Sequence, residues 1–369
     1  MLVGLAVGAV APGVRAVISA DAVLYLLVPG LVFDAAFDLT WPVMRRMLAA
    51  LVGLAVPGVL VTALVVALLL STLAGLPIGL AFVVGAMVSA TDPIAVVATL
   101  ERLKMPAALR TLIEGESLLN DGTGLALVAI AVSASTGRMG PMESVATFAI
   151  VIVASVALGY AAGRIGAALL RAVRNPTFGA LVSVAYAYAC FAGATLLGLS
   201  GVLVTVIAAI AMGHALRQGS AESIAHRVDR LWGVIAVVLS ALAFLAIGAA
   251  IDLGSLGAEI GAIAVGVLAV LFARGLFVYL PYLFVRSALP LGWAHVLFWS
   301  GLRGAIAFAA ALALPSDLPQ RQLLQNVAFG VVLVTLVAQG TTAPLVVRAA
   351  LRSQTQSDEV APSRDPVAP

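Results

Sequence analysis

The chain has few of the residues that soluble proteins use for their surfaces, cross-links and metal sites. Of its 369 residues only 10% are charged and 6% are aromatic, and there are one cysteine and three histidines. A lone Cys190 excludes a disulfide framework and is expected to act as a small buried apolar residue. His214, His226 and His295 are far apart in sequence, so no histidine or cysteine metal site is expected. The scarcity of charge excludes a water-covered globular domain.

Apolar residues dominate instead. They make up 63% of the chain, and the mean hydropathy is +1.15. Apolar runs of about 17 to 25 residues can each cross roughly 30 Å of hydrocarbon, so the sequence predicts an all-α polytopic membrane protein with about 12 transmembrane helices. The predicted spans are 22–38, 46–71, 76–99, 111–135, 144–170, 177–198, 200–216, 229–250, 256–285, 292–314 and 325–348, with an incomplete one at 2–14.

Basic residues fall into alternate loops. One set of loops holds Arg45, Arg46, Arg102, Lys104, Arg110, Arg171, Arg174, Arg217, Arg227, Arg230, Arg286, Arg348, Arg352 and Arg364. The other set holds only Arg15, Arg138 and Arg321. Because cytoplasmic loops collect Lys and Arg, the C-terminus is predicted to be cytoplasmic, with 353–369 as a short disordered tail. The basic residues form no cluster of the kind that binds nucleic acid, so no such partner is expected.

Charged residues inside the spans are the first indication of function. In GESLLNDGTG (115–124), Asp121 lies ten residues into a helix that starts near Thr111, about 15 Å along the axis and close to the bilayer midplane. Ser117 shares its face and Asn120 lies beside it, whereas Glu116 points elsewhere. A carboxylate at that depth costs about 2.5–3.5 kcal/mol, which predicts a functional group. The alternative is a neutral carboxyl that bonds a neighbouring helix.

A proline interrupts the preceding span. In SATDPIAV (89–96), Pro93 lacks an N–H and clashes with a helical carbonyl, so a helix over 76–99 should break near its centre. Asp92 followed by Pro93 is typical of a helix start, with Asp92 at the positive end of the new half-helix. Carbonyls exposed around Thr91 could then coordinate a cation. An ordinary proline kink is the alternative.

A second interruption is predicted late in the chain. WSGLRGAIAF (299–308) places Arg303 between Gly301 and Gly304 in the middle of a span. Two interrupted helices suggest an inverted repeat of spans 2–14 to 111–135 with spans 200–216 to 325–348.

Two further charges lie within spans. Arg274 in FARGL needs an acid, and Glu116 is the natural partner; snorkelling of Arg274 to the membrane surface is the alternative. Asp34 in LVFDAAF is a third buried acid.

Three ordered segments now support a family resemblance. GAMVSATDPIAVVATL, EGESLLNDGTGLAL and WSGLRGAIAFAAALALP resemble the signature segments of the bacterial monovalent cation/proton antiporters. The Asn120-Asp121 pair resembles the electroneutral, NhaP-like sodium/proton branch. The resemblance implies a fold of thirteen helices with two crossed, discontinuous helices and inverted repeats. It also implies an ion-transport core, here mainly 46–135 and 256–348, beside helices that form a homodimer.

The resemblance also implies roles for single residues. A transient sodium ion would be held by Asp121, the Ser117 hydroxyl, the Thr91 carbonyl and Asp34. Supporting roles would fall to Asn120, which fixes the geometry, to Asp92 and Arg303, which compensate half-helix ends, and to the Glu116–Arg274 pair. The family usually has Glu where Asp34 stands, so the shorter side chain is expected to reach the ion only through water. The chain begins within what corresponds to the second family helix, so the first helix is expected to be missing.

The function that follows is an antiporter of the bacterial inner membrane, not an enzyme, with no cofactor. Sodium or another monovalent cation would compete with protons for Asp121 under alternating access, with no net charge moved. One alternative is an inactive or partial paralogue, if the N-terminus is truncated. A cation channel or potassium-efflux protein lacks its usual nucleotide-binding domain here, and an intramembrane aspartyl protease lacks its second aspartate motif.

Overall fold

The structure is a computed structural model that describes residues 1–10, 13, 19–92, 97, 106–173, 175–218, 221–280, 282 and 289–360. Within these ranges all regular structure is helical, as the sequence predicts. The helices are α1 Leu2–Val10, α2 Val28–Phe37, α3 Trp41–Met44, α4 Leu48–Ala55, α5 Pro57–Ala74, α6 Ile78–Met87, α7 Ala107–Ser135, α8 Pro141–Ala172, α9 Pro176–Leu196, α10 Gly201–Arg217, α11 Glu222–Ala250, α12 Leu253–Ala258, α13 Ile260–Tyr279, α14 Leu291–Trp299, α15 Ala305–Leu312 and α16 Arg321–Val360. A π-helical segment, Ala22–Leu27, leads into α2, and a 3-10 turn, Arg45–Met47, joins α3 to α4.

Each predicted span contains helical residues in the described part of the chain. There, seven helices are long and apolar enough to cross a membrane, namely Trp41–Ala74, Ala107–Ser135, Pro141–Ala172, Pro176–Leu196, Glu222–Ala250, Ile260–Tyr279 and Arg321–Ala350. Shorter apolar helices occupy Ala22–Phe37, Ile78–Met87 and Gly201–Arg217. The prediction of a polytopic helical membrane protein is therefore confirmed.

Local sequence explains how several helices begin and end. The Asn175 carboxamide oxygen accepts a hydrogen bond from the Thr177 N–H at 2.9 Å, and Pro176 opens α9. The Ser200 hydroxyl accepts one from the Leu203 N–H at 3.2 Å at the start of α10. Gly75 ends α5 with a φ of 71°, a left-handed conformation that glycine adopts without a steric penalty.

Two details differ from the sequence prediction. Helix α16 continues to Val360, so the tail predicted to be disordered from 353 onward is helical at its start, and 361–369 lie outside the described residues. The physical reason is that Gln354, Gln356 and Glu359 are good helix formers and extend a long helix already in place. Cys190 is half-buried rather than fully buried.

Both predicted interruptions are present. Helix α6 ends at Met87 and 88–92 are not helical, while the half-helix predicted to start at Pro93 lies outside the described residues. Helix α14 ends at Trp299, residues 301–304 are not helical, and α15 begins at Ala305. In each predicted repeat unit a long helix, α7 or α16, follows the interruption. The inverted orientation of the two units stays a prediction.

The helices pack in two groups. We call α3–α7 and α13–α16 the core group, because they pack mainly on one another, and α1, α2 and α8–α11 the scaffold group for the same reason. Glycines allow close approach in the scaffold group: a Cβ on Gly163 of α8 would lie 2.5 Å from the Ala208 carbonyl oxygen of α10. The two groups meet chiefly where α7 packs against α10 and α8. The predicted role of 46–135 and 256–348 as an ion-transport core stays a prediction.

Buried apolar side chains form two clusters with a polar layer between them. Helices α7 and α13 each pass from one cluster to the other. Leu119 and Val278 belong to the first cluster, and Leu127 and Val270 belong to the second. Near these changes lie the buried polar residues Ser89, Thr91, Glu116, Ser117, Asn120, Asp121, Thr123, Arg274, Ser300, Arg303, Thr335 and Gln339. The four buried charged residues in the described part of the chain, Glu116, Asp121, Arg274 and Arg303, all belong to this set.

Candidate cation-binding site

The two interrupted segments touch each other through their backbones. The Asp92 N–H donates to the Leu302 carbonyl oxygen at 2.8 Å. A Cβ at Gly304 would lie 1.9 Å from the Asp92 Oδ2 and 2.3 Å from the Asp92 Cβ. Residue 304 must therefore be glycine because a side chain there would overlap Asp92. Its φ does not demand glycine, since −139° is open to any residue.

Each interrupted segment carries the charge that compensates the other. The Arg303 Nη1 donates to the carbonyl oxygens of Ser89 and Ala90, at 2.7 and 2.9 Å, where α6 has just ended with its partial negative charge. The Asp92 carboxylate accepts from the Ala305 N–H at 3.3 Å, at the partially positive start of α15. The compensation predicted from sequence is thus made across the crossing, from one segment to the other.

Substituting Gly304 by alanine is expected to disrupt this crossing. The added methyl group overlaps the Asp92 side chain, and overpacking a buried site costs about 1–3 kcal/mol, so the melting temperature in detergent should fall. Gly261→Ala is the matched control, because a Cβ there meets nothing within 4 Å. Equal melting temperatures for Gly304→Ala and Gly261→Ala would contradict the close contact.

Helix α7 holds the first interrupted segment through two polar side chains, Ser117 and Asn120. The Ser117 hydroxyl donates to the Thr91 carbonyl oxygen. The Asn120 Nδ2 donates to the Thr91 Oγ1 at 2.8 Å, and the Asn120 Oδ1 accepts from the Thr91 N–H at 3.1 Å. The Thr123 hydroxyl donates to the Ala55 carbonyl oxygen at 2.7 Å, which ties α7 to α4 as well. Asn120 therefore has the position expected of a residue that fixes the geometry of the break.

Asp121 faces a small cavity beside these oxygen atoms. The side chain is 9% exposed, and within the described residues its carboxylate makes no hydrogen bond or ion pair. The cavity has a volume of about 80 Å³, and Thr91, Asp92 and Ser117 also line it. The charged groups that act on Asp121 are the Asp92 carboxylate and the Arg303 guanidinium. A buried carboxylate next to a carbonyl and a hydroxyl can bind a proton or a hard monovalent cation.

The predicted partner of Arg274 is also in place. Its guanidinium makes a bidentate contact with the Glu116 carboxylate, with 2.9 Å between Nη2 and Oε2. Nη2 also donates to the Leu297 carbonyl oxygen at 2.8 Å. Both side chains are buried, so this pair joins α7, α13 and α14 at the level of the site. The snorkelling alternative for Arg274 is wrong.

Asp34 is not brought to Asp121. Neighbouring residues of α2, among them Val32 and Ala35, line the cavity, but Asp34 does not. Asp34 projects about 100° around the helix from Ala35 and is only half-buried. The acids that act on it are Asp38, Asp229 and Glu114. The prediction that Asp34 binds the cation is not supported by this placement.

Glu114 belongs to the site but was not predicted from sequence. It lines the same cavity, and its Oε1 accepts from the Arg110 Nε at 2.8 Å. Helical periodicity could have identified it, because Glu114 lies two helical turns before Asp121 on the same face of α7. The cavity therefore extends from Asp121 toward the N-terminal end of α7.

Two interrupted segments that meet beside a buried carboxylate, inside a multi-pass helical membrane protein, are typical of secondary transporters. A comparison with protein families agrees. Residues 1–349 match the family described as "Sodium/hydrogen exchanger, transmembrane", and the chain belongs to this family. The resemblance predicted from the three signature segments is thus confirmed, and the family is one of transporters rather than enzymes.

Named relatives fall in the same family. The chain is 30% identical over 342 residues to the low-affinity Na⁺/H⁺ antiporter NhaS1 of Synechocystis sp. (strain ATCC 27184 / PCC 6803 / Kazusa), which covers 90% of this chain and 65% of that protein. It is 31% identical over 349 residues to the Na⁺/H⁺ antiporter NhaG of Bacillus atrophaeus, covering 91% of this chain and 65% of that protein. The chain thus spans slightly less than two thirds of the length of these curated relatives.

Among solved structures, the fold is similar to that of the sodium proton antiporter MjNhaP1 from Methanocaldococcus jannaschii at pH 8. The TM-score is 0.79, and the match covers 95% of this chain and 91% of that chain. At 17% sequence identity the likeness is one of fold.

Proposed function

We propose that this protein exchanges sodium, or another monovalent cation, for protons across the bacterial cell membrane, with Asp121 as the shared binding group. The observation that carries the proposal is the Asp121 carboxylate, which is buried and unpartnered within the described residues and lines a cavity with Thr91 and Ser117. The printed names of the relatives, which are Na⁺/H⁺ antiporters, support the same reaction.

Competition at one carboxylate couples the two ions. A proton neutralises Asp121 directly, and a sodium ion does so with the Thr91 carbonyl and the Ser117 hydroxyl as further oxygen ligands. Hard oxygen ligands suit sodium, lithium and potassium, and the cation is a substrate rather than a cofactor. The empty site leaves a buried carboxylate uncompensated, so crossing of the membrane by the empty carrier is disfavoured. Each crossing therefore carries either a cation or a proton.

Access to the site is proposed to alternate as the core group moves against the scaffold group. The cavity reaches from Asp121 to Glu114, at the end of α7 that follows Arg102 and Lys104 in sequence. These basic residues favour a cytoplasmic location for that end, and the same pattern favours a cytoplasmic C-terminus. The scaffold group, with its exposed apolar helices α8 and α11, is the proposed homodimer surface.

Sodium-driven proton movement in proteoliposomes tests the proposed exchange. An inward sodium gradient should drive protons out of vesicles that hold the protein, with sodium, lithium and potassium compared at zero membrane potential. Because protons and cations share Asp121, the apparent cation affinity should fall as the pH drops, by up to about tenfold per pH unit. Proton movement no faster than in protein-free liposomes, with all three cations, would leave the inactive paralogue as the better description.

The same vesicles test the stoichiometry. The residue beside Asp121 is Asn120, whose amide bonds Thr91 and does not titrate. One carboxylate is therefore proposed to change its protonation, so that one cation exchanges for one proton. A membrane potential, worth about 2.3 kcal/mol per elementary charge per 100 mV, should leave the balancing sodium gradient unchanged when it is set with valinomycin and potassium. A shift of that gradient with potential would mean that a second acid carries a proton.

A further inference from the structure

A third arginine inside the spans has no role in the site. Arg164 lies in α8, eight residues before the helix ends at Ala172, which is about 12 Å along the axis. Within the described residues its guanidinium makes no ion pair or hydrogen bond, whereas Arg274 and Arg303 both donate to carboxylate or carbonyl oxygens. An arginine at bilayer depth is costly, and most such residues are paired or bind a ligand. The Arg164 side chain is exposed, so its guanidinium is open to an anionic group from outside the protein.

Arg164 lines the largest of the described cavities. This cavity has a volume of about 570 Å³ and lies between α3, α4 and α7 of the core group and α8 and α10 of the scaffold group. Leu48, Val52 and Tyr160 in its wall are 41%, 49% and 59% exposed, so its opening lies on an apolar surface of a protein that spans a membrane. An occupant would therefore enter from the membrane.

The two ends of the cavity differ in character. One end is apolar, with Val52, Leu119, Val156 and Ile207 in its wall. The other end carries polar and aromatic groups, namely Trp41, Tyr160, Arg164, His214 and Gln218. Trp and Tyr are typical of the membrane interface, where their polar atoms meet lipid headgroups. The occupant that matches both ends is an amphiphile with an anionic head.

Basic residues near the polar end of the cavity also favour an anionic occupant. Arg45 and Arg46 are exposed on the 3-10 turn beside Trp41 and belong to the loops predicted to be cytoplasmic. Arg217, at the end of α10, already forms an ion pair with Asp229 at 2.8 Å, so its charge is compensated within the protein, unlike that of Arg164. Basic pockets between transmembrane helices on the cytoplasmic side suit anionic lipid headgroups.

We infer that this cavity binds an anionic phospholipid, with its phosphate against Arg164 and one acyl chain along the apolar wall formed by Val52, Val156 and Ile207. Tyr160 and the His214–Gln218 pair, whose side-chain nitrogens are 3.0 Å apart, flank the headgroup. The site lies outside the cation cavity of Asp121, and lipid binding there does not depend on the proposed exchange. Its occupant would bridge the core and scaffold groups.

Native mass spectrometry of the full chain in detergent tests this inference, with phosphatidylglycerol and phosphatidylcholine of the same acyl chains as probes. The wild type should retain phosphatidylglycerol at least about fivefold more than phosphatidylcholine. Arg164→Gln should reduce retention of phosphatidylglycerol to the level of phosphatidylcholine, and Arg164→Lys should keep most of it, because the charge remains. Arg227→Gln, at an exposed arginine outside the cavity, is the matched control and should bind like the wild type.

A second variant separates lipid binding from misfolding. Leu48→Trp narrows the cavity without changing its charge and should also lower phosphatidylglycerol retention, while size-exclusion profiles and melting temperatures report whether each variant is folded. Equal retention of both lipids by the wild type, or unchanged phosphatidylglycerol retention in folded Arg164→Gln, would overturn the assignment. If Arg164→Gln does not fold, unchanged retention by Leu48→Trp overturns it in the same way.

Discussion

Replacing Asp121 by asparagine is expected to reduce cation-driven proton movement to the level of protein-free liposomes. The amide keeps the size of the side chain but cannot bind a proton or balance a cation. The fold should persist, because within the described residues the Asp121 carboxylate makes no hydrogen bond or ion pair that the substitution would remove. The melting temperature in detergent should therefore be no lower than that of the wild type, since a buried charge is lost.

Asp317→Asn is the matched control for this substitution. Asp317 lies 3.8 Å from Arg138 in an ion pair whose two side chains are each 69% exposed, and removing its charge should leave exchange unchanged. Exchange in folded Asp121→Asn at more than about a tenth of the wild-type rate would remove the central role assigned to this residue. Loss of exchange in both variants would point to a general effect of the asparagine substitutions.

The second large effect is expected from Glu116→Gln. This change leaves the Arg274 guanidinium buried without its carboxylate, and breaking a buried pair from one side typically costs about 3–5 kcal/mol. Arg274 retains its bond to the Leu297 carbonyl oxygen, which compensates only part of the charge. The melting temperature in detergent should fall clearly, because the contact that holds α7 against α13 and α14 is weakened.

Two comparisons make this result specific. Glu222→Gln removes an exposed carboxylate 3.7 Å from the His226 ring and should change the melting temperature little. The double variant Glu116→Leu with Arg274→Met replaces the whole pair by apolar groups and should be more stable than Glu116→Gln, because no buried charge is left unpaired. A melting temperature of Glu116→Gln equal to that of Glu222→Gln would show that the pair contributes little.

Much of the architecture could be predicted because its causes are local. Long apolar runs must be helical in lipid, so the spans followed from hydropathy alone. The break before Pro93 followed from a missing N–H, and the shared face of Ser117 and Asp121 followed from helical periodicity. The Glu116–Arg274 pair could be inferred because few buried charges of opposite sign were available in the sequence, and the cost of leaving each alone is high.

The sequence by itself thus determined the class of protein, the two interruptions and most of the polar groups of the site. Tertiary structure alone decided which groups meet. Asp34 does not line the cavity, because α2 presents Ala35 and Val32 to it instead. Arg303 donates a hydrogen bond to a carbonyl just after the end of α6, more than 200 residues earlier in the chain. Residue 304 must be glycine because the Asp92 side chain packs directly against it. Such contacts join residues far apart in sequence, and they depend on how helices cross and rotate, which no local periodicity specifies.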